Sequence, residues 1–131
     1  MIFVLLDVAS MEHSDVLMLA FVLIFQTNKN TYNMKQLQQI FDSAVEAVMQ
    51  ASGLEFDALA NCRSERCVVA RVVLVDVLIE LGMSEGDIAL LSGMSQQRVN
   101  SLKNSARYKL KGLAARVMRE EVKILLKKIL P

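Results

Sequence analysis

Five amide or hydroxyl side chains, Gln96, Gln97, Asn100, Ser101 and Asn104, follow one another at alternating steps of one and three residues. On a helix of about 3.6 residues per turn, those steps keep them on one side. A Gln or Asn amide offers a donor and an acceptor together, the pattern that pairs with the adenine edge in a major groove. Arg98, Lys103 and Arg107 lie among them and suit phosphate oxygens, and the first backbone amides of such a helix, at Gln96 and Gln97, hold one phosphate more. The competing reading is the ordinary polar, solvated face of a surface helix.

Other chemistry finds little material. His13 is the single histidine, and no Ser, Cys or acid stands in a pattern that would pair with it as a nucleophile or base. Asp42 and Glu46 make a carboxylate pair at helical spacing, which reads as a solvated helix face. Cys62 and Cys67, five apart, cannot assemble a four-ligand zinc set with one distant histidine. A disulfide between them is geometrically awkward, so two free thiols in a reducing, cytoplasmic setting are expected. No catalytic residue, metal or cofactor is expected.

The elements that must position the amide row are legible on either side of it. Ser84 with Asp87 three residues on resembles a capping box, and Ile88, Ala89 and Leu91 make a short helix that Gly93 closes. Ser95 caps the next helix, whose Val99, Leu102 and Ala106 share the opposite face from the amides. A small residue at Ala89, Gly93 four later, Val99 six after that and Leu102 three further on give the spacing of a helix-turn-helix over about residues 84–110. Ser92 departs from that pattern, where an apolar residue is commoner.

Upstream, Leu37, Ile40, Phe41, Ala44, Val45, Val48 and Met49 recur at three- and four-residue steps from Met34, with Asn33 as cap and Gly53 as stop. A link from Leu54 to Cys62 includes a helical turn at Glu55 to Leu59. Ser64 then caps a helix that is apolar on nearly all sides between Val68 and Leu81, which places it at the centre of its domain. Gly82 ends it. A tail from Leu113 to Leu130 reads as amphipathic, with Leu113, Val117, Ile124, Leu125 and Ile129 opposite Arg116, Arg119, Lys123, Lys127 and Lys128. With 5% aromatics, no Trp, five Gly and one Pro, the fold class expected is all-α: a small helical bundle containing a helix-turn-helix, over residues 34–131.

The net charge of +1 divides unevenly. Residues 98–131 carry ten bases against two acids, and residues 1–97 carry five bases against twelve. A basic half beside an acidic half suggests a surface directed at a polyanion.

Residues 1–33 form an apolar extension with an uninterrupted run of ten apolar residues from Val16 to Phe25. A membrane span needs about twenty, and Asp7, Glu12 and Asp15 interrupt any longer window, so a membrane partner is not expected. No Lys or Arg precedes Lys29, unlike a signal peptide. Two readings remain: a segment buried on the bundle, or translated upstream sequence with Met34 as the biological start.

From Arg63 to about Lys109 the chain resembles the C-terminal DNA-binding domain of the bacterial replication initiator DnaA. An Arg-rich start, an Ala70-Arg71 pair inside a long apolar helix, a short helix and a recognition helix follow in that order. The resemblance implies that Arg63 lies in a basic loop near the DNA backbone and that Arg71 falls where the family has a basic residue. The family's Asp-His signature is replaced by Met94-Ser-Gln-Gln-Arg-Val99, and the chain has no Gly-rich phosphate loop, so initiator activity is not implied. The stretch GDIALLSGMSQQRVNSLKNSARYKL is also similar to the last helical region of sigma factors and to LuxR-type regulators.

The expectation is therefore a DNA-binding protein of bacterial or phage type, regulatory in transcription or replication, with double-stranded DNA as partner and no small-molecule substrate. Its expected contacts are Gln96, Gln97, Arg98, Asn100, Ser101, Lys103, Asn104, Arg107, Arg63 and Arg71. A homodimer would suit such a reader. The alternative is a helical protein-interaction adaptor without DNA-reading activity.

Overall fold

The computed structural model describes residues 33–130, so the apolar extension before Asn33 lies outside the described residues. Six helices follow in order: α1 (Met34–Ser52), α2 (Phe56–Asn61), α3 (Glu65–Glu80), α4 (Glu85–Ser92), α5 (Gln96–Lys109) and α6 (Leu113–Ile129). Among the described residues there is no strand, and the chain is a small all-α bundle.

Short polar caps punctuate the helices. At α1, Asn33 Oδ1 accepts from the Gln36 amide at 2.9 Å while Gln36 Oε1 accepts from the Asn33 amide at 3.1 Å. This reciprocal pair satisfies two amides at the α1 start. Ser64, Ser84 and Ser95 each accept one amide hydrogen bond at the starts of α3, α4 and α5. Gly53 closes α1 at φ 72° and Gly93 closes α4 at φ 77°. Both sit in the left-handed region, which costs glycine nothing and an L side chain something. The expected turn after Leu54 is a full short helix, α2.

Helix α3 is the axis of the bundle and packs against α1, α2, α4, α5 and α6. Its Ala70, Val72, Val73, Val75, Val77 and Leu78 are wholly buried. Neighbours on every side explain why it is apolar on every side. Helix α1 covers one flank with Ile40, Phe41, Ala44, Val45 and Val48, and α6 closes against both α1 and α3.

The face that α6 buries matches the one its sequence suggests only in part: Leu125 and Ile129 pack partly buried against the core. Leu113, Val117 and Ile124 are exposed, whereas Ala115, Val122, Lys123 and Leu126 are buried. Ion pairs explain the rotation. Arg119 Nε reaches Asp76 Oδ2 at 2.6 Å and its Nη2 reaches Glu80 Oε2 at 2.8 Å, while Lys123 Nζ lies 3.6 Å from Glu80 Oε1. Satisfying the acids of α3 turns Arg119 and Lys123 inward and leaves Leu113 and Val117 outside. Burial works against the Arg119 charge, but the Asp76 hydrogen bond and the fields of Glu80, Asp76 and Glu120 outweigh it, so its pKa rises.

No helix of the described residues is long and apolar enough to cross a membrane.

Candidate nucleic-acid interface

Val99 fixes the orientation of α5. It is fully buried in the core, and Leu102 packs partly buried behind it. At about 100° per residue, that anchor turns Gln97, Asn100, Ser101 and Asn104 to the opposite side. All four are exposed, as is Gln96. Arg98 stands on one flank of this face, and Lys103 and Arg107 stand on the other. Tyr108, 72% exposed, extends the same face one turn beyond Asn104. Its four-residue spacing from Asn104 is the signal in the sequence that places it there.

The start of the helix is set by its neighbours in sequence. Ser95 Oγ accepts from the Arg98 amide at 3.1 Å, leaving the Gln96 and Gln97 amides without intrahelical partners. The Gly93 turn lets α4 fold back onto α5, and Ile88 of α4 is buried in the core. The two helices pack against each other and are joined through a left-handed glycine.

The basic residues divide into two groups. Lys103 Nζ lies 3.0 Å from Glu85 Oε1, tying α5 to α4, and Lys109 Nζ lies 3.0 Å from Glu65 Oε1, tying α5 to α3. With Arg119 and Lys123, at least four of the ten C-terminal bases are therefore engaged by acids that precede Arg98 among the described residues. Much of the charge asymmetry in the sequence is thus complementarity between helices, and only part of it remains for a partner. Arg98, Arg107, Lys111 and Arg116 remain exposed. Arg63 is exposed in the loop between α2 and α3.

Arg71 departs from the expectation of a surface cation. It is 8% exposed, and its Nε donates to the Leu59 carbonyl at 2.7 Å, pinning α2 to α3. Its side chain lines a cleft behind the α4–α5 turn rather than the exposed amide face of α5. Arg71 is therefore removed from the set of candidate DNA contacts.

Cys62 and Cys67 remain free thiols on either side of Ser64. Ser64 Oγ lies 3.3 Å from Cys62 Sγ and 3.2 Å from Cys67 Sγ. Hydrogen bonds from Cys67 and then Ser64 lower the Cys62 pKa to about 7. Among the described residues, no three His, Cys, Asp or Glu side chains gather as a metal site.

Comparison with protein-family models, with curated proteins and with solved structures finds no match.

Proposed function

We propose that this chain is a DNA-binding protein that inserts the outer face of α5 into the major groove. One observation carries the reading: with Val99 buried, the exposed side of α5 is a row of amide and hydroxyl side chains, Gln96, Gln97, Asn100, Ser101 and Asn104. Such groups read base edges, with Gln and Asn matched to adenine. Arg98 and Arg107 flank the row for phosphates, Lys103 joins them when it exchanges Glu85 for the backbone, and Arg63 reaches the backbone from its loop. A role in transcription or replication control fits such a reader. Selection of bound sequences from random duplexes tests the proposal. A recovered motif with adenine at fixed positions supports it, and recovery of no motif rejects sequence reading.

A second reading draws on a different surface. Leu113, Val117 and Ile124 are exposed on α6, which suits a helical adaptor that docks a protein through this helix. That reading predicts weak DNA binding that is untouched by Gln97→Ala and Asn100→Ala.

A further inference from the structure

We propose that the cleft between α1, α2, α3 and the α4–α5 turn binds a small organic carboxylate with an apolar body. The cleft has a volume of about 410 Å³, within the span of small-molecule sites, roughly 300–1,000 Å³. Phe41, Leu59, Leu74 and Met94 supply its walls, and Arg71 and Arg98 supply its cations. No Asp or Glu lines it.

Two independent observations assign the anion. The first is Arg71. The guanidinium is 8% exposed, its single hydrogen bond leaves through Nε to Leu59, and its Nη2 is buried without a hydrogen-bond partner. Among the described residues no carboxylate pairs with it. The Cys62 thiol feels the Arg71 charge, but no hydrogen bond reaches Nη2, and a buried polar group left without a partner destabilises a fold unless a ligand completes it. The second is the start of α5, a helix of 14 residues whose cap, Ser95, and first-turn Arg98 both line the cleft. The positive end of that helix adds to the two guanidinium charges.

The apolar walls select among anions. A DNA phosphate or free inorganic phosphate brings several strongly hydrated oxygens, which these side chains cannot satisfy. A carboxylate needs fewer donors and matches a guanidinium edge, and an alkyl or aryl body gains from covering Phe41, Leu59 and Leu74. The site shares Arg98 with the DNA reading but rests chiefly on Arg71, which that reading does not use.

The experiment titrates the full chain with phenylacetate and hexanoate, following Met94 and Leu74 methyl resonances. The neutral analogues 2-phenylethanol and hexanol, and the body-less anions acetate and inorganic phosphate, serve as comparisons. The acids are expected to shift both methyls and to bind at least about tenfold more tightly than the alcohols, as loss of one charge-assisted contact implies. Acetate and phosphate are expected to be weaker than either acid. Arg71→Met should weaken acid binding about tenfold or more. Because that change removes the Leu59 contact and risks the fold, Ala60→Trp is the second variant. Ala60 is exposed at the rim of the cleft, and a bulky ring there should block the acids while the bundle stays folded. The proposal is overturned if acids and alcohols bind alike, if phosphate matches the acids, if Ala60→Trp leaves binding intact, or if neither acid binds at about 10 mM.

Discussion

Gly93 and Gly112 offer a controlled test of what the turn before α5 demands. A Cβ added at either glycine meets nothing within 4 Å, so neither substitution creates a clash. The two differ in backbone conformation. Gly93 has φ 77° and Gly112 has φ −68° with ψ 150°, a conformation any residue adopts. Gly93→Ala therefore isolates the left-handed penalty, roughly 1–2 kcal/mol, reduced a little by the lower entropy of the unfolded alanine chain. The expected net loss is about 1 kcal/mol. Gly93→Asn should cost less, because Asn tolerates this region. Gly112→Ala should stay within about 0.5 kcal/mol of the parent, since its weaker capping and its entropic gain oppose one another. Urea denaturation monitored by circular dichroism reads all three. With a slope of about 1–2 kcal/mol/M, Gly93→Ala should lower the midpoint by about 0.5–1 M. A neutral Gly93→Ala beside a costly Gly112→Ala would refute the assignment of the turn.

Three further outcomes follow from the packing. Val99→Ala removes two methyl-sized groups from a fully buried site, which at about 0.8 kcal/mol each plus a cavity contribution gives a loss of about 2–3 kcal/mol by the same denaturation. Glu80→Gln weakens the contacts to both Arg119 and Lys123 and should cost about 1–2 kcal/mol, an effect that measurement at 1 M salt should shrink. Cys62, held at about 7, is half thiolate near neutral pH, so its alkylation by iodoacetamide should reach half its plateau rate near pH 7 and fall below it as pH drops. Cys67, 1% exposed, should be protected until the fold opens, and mass spectrometry of the modified peptides separates the two.

Local punctuation was the most legible part of the sequence. Asn33, Ser64, Ser84 and Ser95 announce helix starts, and Gly53, Gly82 and Gly93 announce stops, because caps and left-handed residues act over three or four positions. The centrality of α3 was legible for a related reason: a helix apolar all round has nowhere else to go. What depended on partners distant in sequence was hidden. Leu113 and Val117 look like core residues until Arg119 and Lys123 meet Asp76 and Glu80, 43 residues apart in the case of Arg119 and Asp76. Arg71 looks like a surface cation until α2 supplies the Leu59 carbonyl. The amide row of α5 was legible because Val99 and Leu102 alone determine which way it points. The charge excess after Arg98 suggested a larger free basic surface than remains once Glu65 and Glu85 have taken Lys109 and Lys103.

The most direct measurement of the central claim is duplex affinity as a function of salt for the parent, Gln97→Ala, Asn100→Ala and Arg107→Ala. A groove reader should lose affinity steeply as salt rises. Gln97→Ala and Asn100→Ala should each lower the preference for the selected site by about 1–3 kcal/mol while leaving affinity for random duplex nearly unchanged. Arg107→Ala should weaken both sequences alike and flatten the salt slope by about one unit. Contradiction would take the form of a salt-independent affinity, or of amide variants that bind selected and random duplexes as the parent does.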